Sequence, residues 1–121
     1  MKRMLPTEQD YRQQEAFHRL TDILRCKWTL AVLSALSEGV NRPSQLVRAI
    51  PGLSTKVLYE RIHKLEQYGL IVRRAYSETP PRVEYEITER GRRLVALIDQ
   101  IRAFAQDWAA HMEEATTITE K

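Results

Sequence analysis

Ser54, Thr55, Lys56, Tyr59, His63 and Lys64 place hydroxyls, an imidazole and two ammonium groups close together in the chain. Lys56 can donate to guanine N7 and O6, and Thr55 can bond a base edge or offer its methyl to thymine. Tyr59 can bond a phosphate, and His63 and Lys64 lie further along the same face. Leu58, Ile62 and Leu65 recur at i, i+4 and i+7, which makes the opposite face of one helix apolar. Ser54 also suits that helix's N-cap, because its hydroxyl can accept from a free amide of the first turn. Pro51-Gly52 stops an earlier helix and turns the chain. A helix, a tight turn and a second helix with a basic outer face form a helix-turn-helix. An ordinary amphipathic surface helix has the same pattern, and tyrosine often packs at a domain edge. Arg61 sits beside Ile62, close to the apolar stripe, and is expected to pair with an acid rather than reach outward.

A second group of basic and polar residues flanks this helix. Arg42, Ser44 and Gln45 open the preceding helix, whose free amides and partial positive charge favour phosphate. Arg82 closes the run Ser77-Glu78-Thr79-Pro80-Pro81-Arg82, a stiff tip suited to a narrow minor groove. Its alternative is a bridge to Glu78 or Glu84. The whole chain carries only +3, yet Arg42–Arg82 holds eight basic residues against three acidic ones. The remainder holds eleven against thirteen. Positive charge is therefore concentrated in the middle third, where a polyanion would be met.

The elements that must position these residues follow from periodicity. The chain, 1–121, reads as a single domain. Met1–Leu5 reads as a loose arm carrying Lys2 and Arg3. Thr7 and Asp10 have capping-box spacing and open a pair of N-terminal helices over 7–38. Ala16, Phe17, Leu20, Ile23 and Leu24 share one face of the first; a break near Arg25-Cys26 starts the second. A brief strand is expected near Val40–Pro43. The helix-turn-helix occupies 43–68, with Pro43 in a first turn. Residues 70–87 alternate as a two-stranded hairpin, where Arg73 or Arg74 can pair with Glu84 or Glu86. Thr88 caps a last helix over 88–115, with an apolar stripe from Leu94 to Met112. The fold class is α+β, mostly α: a winged helix-turn-helix with extra helices at both ends.

Several function classes fall away. No phosphate-cradling glycine loop, nucleophile elbow or metal-ligand cluster is present, so no catalytic residue, metal or cofactor is expected. One cysteine gives no internal disulfide framework. Without a signal peptide or long apolar run, the expected location is the cytoplasm. Cys26 reads first as a small buried hydrophobe and second as a sensor thiol.

Arg42-Pro43-Ser44-Gln45-Leu46, Ile50-Pro51-Gly52-Leu53-Ser54, Leu65-Glu66-Gln67-Tyr68-Gly69-Leu70-Ile71, Pro80-Pro81-Arg82-Val83-Glu84-Tyr85 and Thr88-Glu89-Arg90-Gly91 resemble the HxlR-type winged helix-turn-helix transcriptional regulators, within the MarR-like superfamily. Lys27-Trp28 resembles the family as well, and the resemblance runs from about Leu20 to Leu97. It implies a dimeric bacterial or archaeal DNA-binding regulator joined through its terminal helices. Where many members carry a redox-active cysteine, thirteen residues before the tryptophan, this chain has Glu15. Cys26 stands where the family usually has glycine, and Pro43 replaces an aromatic residue.

The expected partners are double-stranded DNA and a second copy. Ile101, Phe104, Ala105, Trp108 and Met112, with Phe17 and Leu20, would leave an apolar patch in a monomer, and a two-fold partner would cover it. Packing of that stripe on the chain's own first helix is the alternative. Such a dimer sets its recognition helices about 34–36 Å apart and calls for a pseudo-palindromic operator. A repressor is expected, because a bound dimer blocks polymerase. A winged-helix module that binds protein and no specific DNA is the rival. A small-molecule effector, if the chain takes one, would enter between terminal helices and winged core, near Trp28 and Trp108.

Overall fold

The computed structural model describes residues 5–119, with side chains through residue 115. The basic end of the N-terminal arm, including Lys2 and Arg3, lies outside the described residues. Helix α1 (Glu8–Arg25) opens on a reciprocal cap. The Asp10 amide donates to Thr7 Oγ1 at 3.2 Å, and the Thr7 amide donates to Asp10 Oδ2 at 2.7 Å. Aspartate thus fills the role that glutamate usually plays in a capping box. The chain then leaves helical geometry for one residue, Cys26 (φ −101°, ψ 108°), before α2 (Lys27–Ser37). Helices α3 (Pro43–Ala49) and α4 (Thr55–Gln67) follow, then β1 (Ile71–Tyr76), β2 (Arg82–Ile87) and α5 (Glu89–Thr119).

The core forms around α2. Val32 and Leu33 are wholly buried there, beside Leu46 of α3 and Leu58, Ile62 and Leu65 of α4. Strands β1 and β2 are antiparallel, with Ile71 opposite Ile87 and Tyr76 opposite Arg82. Ile71, Tyr85 and Ile87 anchor the hairpin's base, while residues 72–81 are exposed. The hairpin therefore projects as a wing. Arg74 reaches diagonally to Glu86, so the cross-strand pair forms beyond the directly facing Glu84. The expected strand at Val40–Pro43 is absent. A single backbone bond joins this segment to the wing, from the Tyr85 amide to the Asn41 carbonyl at 2.8 Å, while the Val40 amide donates back to the Ala35 carbonyl and the Arg42 carbonyl accepts from the Leu46 amide. Pro43 has no amide with which to extend a ladder.

Both terminal helices are only partly packed. Ile23 is buried and Leu20 and Leu24 are half-buried against the core, but Ala16 and Phe17 are exposed. The α5 stripe also divides. Leu94 and Ile98 face the chain's own core, whereas Leu97, Ile101, Phe104, Trp108 and Met112 face outward. Every residue from 99 to 115 is exposed, so this half of α5 is not folded back on α1. That run is about 25 Å of helix at 1.5 Å per residue.

The start of α5 is held tightly to the wing's base. Thr88 Oγ1 donates to the Gly69 carbonyl at 2.9 Å and accepts from the Gly91 amide at 3.1 Å. The Thr88 amide donates to the Leu70 carbonyl at 3.0 Å. Gly91 allows this approach, because a Cβ there would stand 2.3 Å from the Leu70 oxygen and 2.7 Å from Ile87 Cγ1. Alanine favours a helix interior by about 1 kcal/mol over glycine, but forcing a methyl against backbone costs about 1–3 kcal/mol. Gly91→Ala should therefore lower the urea midpoint of unfolding. A midpoint equal to or above wild type would show that α5 and the wing base can separate cheaply.

Candidate nucleic-acid interface

Helix α4 presents its polar face because its apolar face is fully used. Leu58, Ile62 and Leu65 have at most 1% of their surface exposed. Ser54 sits at the N-cap, and its Oγ accepts from the Val57 amide at 3.1 Å. Thr55, Lys56, Tyr59 and His63 are exposed. At about 100° per residue, Tyr59 and His63 fall within roughly 60° of Lys56 around the helix. These residues form one outward stripe, joined by Glu60. Glu60 is absent from the set drawn from the sequence, although its spacing from Lys56 is one helical turn. A carboxylate there can accept from cytosine N4.

Lys64 leaves this stripe. It lies about 80° round from Lys56, and its ammonium donates to Asp22 of α1. That contact ties α4 to α1, so the Lys64 ammonium is turned toward α1 rather than along the outward stripe. Arg61, on the same flank, is half-buried, and its Nε has no hydrogen-bond partner among the described residues. The expected acid partner for Arg61 is not in ion-pair contact, although Asp22 feels its charge.

Arg42, Ser44 and Gln45 open α3, with Ser44 and Gln45 exposed. Arg42 is half-buried and lies 3.5 Å from Glu84 of the wing. Glu84 also meets Arg82 Nε at 3.5 Å, and Arg82 Nη2 lies 3.3 Å from Glu78. The Arg82 guanidinium stacks 4.3 Å from the centre of the Tyr76 ring. Arg82 is thus oriented from several sides, with both of the acids named for its alternative role.

The turn between α3 and α4 is shaped by Gly52, which has φ +83°. A Cβ there would meet Trp28 Cη2 at 3.2 Å, so the indole packs directly under the turn. Helix, turn, outward-facing helix and projecting wing are thereby joined in one basic surface.

The model of the HxlR-like helix-turn-helix family matches residues 23–113. The chain belongs to this family. An HTH-type transcriptional regulator of Synechocystis is 43% identical over 89 residues, which span 74% of this chain and 66% of that one. The Bacillus subtilis regulator YvaP is 36% identical over 92 residues, 76% of this chain and 85% of its own. Among solved structures, a MarR-family regulator of Enterococcus faecalis superposes with a TM-score of 0.74 at 26% identity, covering 94% and 99% of the two chains. Reduced YodB of Bacillus subtilis gives 0.66 at 30% identity, covering 84% and 92%. This HxlR-family chain is a DNA-binding transcriptional regulator of winged-helix fold, not an enzyme. Among the described residues, no helix is long and apolar enough to cross a membrane.

Two features of this family member differ from their sequence readings. Cys26 is half-exposed, not a buried hydrophobe, because it stands at the bend between α1 and α2. Burial opposes ionisation of its thiol, but the neighbouring Thr29 hydroxyl, the Thr29 and Trp28 amides and the Arg61 charge outweigh it and hold the thiol below its ordinary value. The buried Thr29 Oγ1 lies beside the sulfur without forming a hydrogen bond of ordinary geometry. Secondly, a groove of about 660 Å³ opens between α1, the end of α4 and the start of α5. Leu20, Leu70, Leu94 and Leu97 help form its floor, and neither Trp28 nor Trp108 lines it. This groove lies between the terminal helices and the winged core, as expected for an effector entry, but Trp28 is engaged at the turn and Trp108 stands out on distal α5, so neither tryptophan borders it.

The Lys64 ammonium, through its hydrogen bond and its charge, holds the Asp22 carboxyl below the ordinary carboxylate value. An acid with a depressed folded pKa contributes stability above its unfolded pKa and loses it as pH falls through the folded value. In Lys64→Met, NMR should show the Asp22 carboxyl titrating closer to an ordinary aspartate, and the acid-side dependence of stability should shrink. DNA affinity should change far less than in Lys56→Ala. A Lys64→Met variant with relaxed base preference would return Lys64 to the reading face.

Proposed function

We propose that this HxlR-family protein is a homodimeric, cytoplasmic repressor that reads a pseudo-palindromic operator with α4. The observation that carries this reading is the outward stripe of Thr55, Lys56, Tyr59 and His63, exposed while the other face of the same helix is sealed in the core. The N-terminal residues of such a helix meet base edges when it lies in the major groove. Lys56 takes the guanine edge and Thr55 a thymine methyl or base edge. Ser54 serves chiefly as the cap. Ser44 and Gln45 bond phosphates beside the groove, and Arg42 supplies charge there.

Arg82 addresses the adjacent minor groove from the wing. Its ion pairs with Glu78 and Glu84 hold the guanidinium in place before binding. Exchanging them for DNA contacts costs part of their interaction, so Arg82 adds affinity more than base preference. Phosphate contacts position the protein, and base contacts specify the site. A bound dimer covering a promoter would exclude polymerase, which is the basis for repression.

Operators selected from random DNA provide the test. Affinity for the selected site should fall steeply with salt, because each neutralised phosphate releases counterions. Lys56→Ala should cost about 1–3 kcal/mol and relax preference at one position of each half-site. Arg82→Ala should weaken binding with little change in major-groove preference. Flat salt dependence and no selected site would instead favour the winged-helix protein-binding module.

A further inference from the structure

Glu60 is the one acid between Ser54 and Lys64, among Lys56, Arg61, His63 and Lys64. It is exposed on the outward stripe of α4, one turn beyond Lys56 and roughly 40° round the helix from it. A carboxylate in that position is ordinarily neutralised along its own helix. Glutamate four residues ahead of lysine is the favourable order for such a pair, and Lys64 stands at that spacing. The Lys64 ammonium instead donates to Asp22 of α1. Lys56, four residues before Glu60, is in the less favourable order, and His63 lies three residues after it. Neither is ion-paired with Glu60 among the described residues. The tie between α4 and α1 thus leaves this carboxylate without a cation.

On a surface that meets phosphates, an unpaired carboxylate opposes binding. A hydrogen-bond donor on the DNA offsets that penalty, and base edges in the major groove differ in what they supply. Cytosine presents its N4 amino group as a donor. Adenine sets its N6 donor beside the N7 acceptor, and guanine and thymine present acceptors. A carboxylate is therefore satisfied at cytosine, partly opposed at adenine and repelled at the other two. Lys56 has the converse requirement and is satisfied at guanine. Four residues span about 6 Å along α4, and successive bases of one strand rise by about 3.4 Å. The two side chains accordingly address positions within about two base steps of each other.

We propose that Glu60 is a specificity-determining residue that accepts from cytosine N4 within about two base pairs of the guanine read by Lys56. This rests on the reading of DNA by α4 proposed above and adds a rule of exclusion to it. Lys56 attracts any duplex as well as the right one, because its charge also favours phosphate. Glu60 weakens binding to every sequence that lacks the cytosine, so it separates operator from bulk DNA at some expense of total affinity. Asp22 has an indirect part in this, since it draws off the lysine that would otherwise neutralise Glu60.

The test uses the full chain and duplexes selected by it from random DNA. Each half-site should require a cytosine near the guanine whose preference Lys56→Ala relaxes. Glu60→Ala should lower discrimination at that cytosine about tenfold, while its affinity for unselected duplex rises about threefold because a negative charge has left the surface. Replacing the cytosine by N4-methylcytosine removes the amino hydrogen that faces the groove and keeps the pair with guanine. That change should weaken wild type about tenfold and leave Glu60→Ala unaffected. Glu60→Ala selecting the same site as strongly as wild type, wild type indifferent to the methylated base, or adenine preferred at that position would each overturn the assignment of Glu60. If Lys56→Ala still relaxes the guanine in the same selection, reading by α4 stands without it. If neither variant alters the selected site, both readings fall together.

Discussion

Burial of one face of α4 is the constraint on which the rest depends. Leu58, Ile62 and Leu65 are sealed between α2 and the base of the wing, and each buried side chain of this type contributes about 1.5–3 kcal/mol. A rotation of the helix by one residue would expose that surface and bring Lys56 toward apolar neighbours. The core therefore sets the direction of the outward stripe, and no contact from the stripe itself is needed. Ser54 fixes where the helix begins and Gly52 fixes the angle of entry, with the Trp28 ring beneath the turn. Position, rotation and entry angle are thus governed by different residues from those that would touch DNA.

Charge in the basic region is divided between bracing and display. Lys64 is committed to Asp22 and thereby joins α4 to α1. Arg74 is committed to Glu86 within the wing. Glu84 receives both Arg42 and Arg82, so a single carboxylate links the start of α3 to the wing. Exposed pairs of this sort contribute little to stability, commonly below 1 kcal/mol. Their consequence is geometric: they aim long side chains that would otherwise sample many rotamers. Lys56 has no such tether among the described residues, and a flexible ammonium at the front of α4 suits adjustment to a base edge.

The fold was legible because its signals are local. The Thr7–Asp10 spacing, Pro51-Gly52, Ser54 and the alternation of Val83, Tyr85 and Ile87 each declare a cap, a turn or a strand without reference to distant residues. The break at Cys26 was harder, since no glycine or proline marks it and the signal is only a change of apolar phase. Val40–Pro43 reads as a brief strand, yet only its Asn41 carbonyl bonds to the wing, while the Val40 amide and the Arg42 carbonyl serve the ends of the flanking helices. Lys64 and the groove were not legible in the same way. Whether a lysine faces DNA or a neighbouring helix depends on where α1 crosses α4, which periodicity does not encode. The division of the α5 stripe was similarly hidden, because Leu94 and Leu97 look equivalent until the position of the core is known.

That division gives one continuous helix a packed half and an exposed half. Its first turns are bound to the hairpin through Thr88, Gly91 and the Leu70 carbonyl, and Leu94 and Ile98 enter the core. Its distal half projects from the body with an apolar face exposed. No glycine or proline interrupts the helix between Arg92 and Thr119, so no local breaker separates the two halves. A contact made at Trp108 is therefore mechanically continuous with the base of the wing. In a dimer joined along this rod, the angle at which two α5 helices cross would set the separation of the two α4 helices. Spacing between half-sites would then be decided by side-chain size along the seam, far from any residue that reads a base.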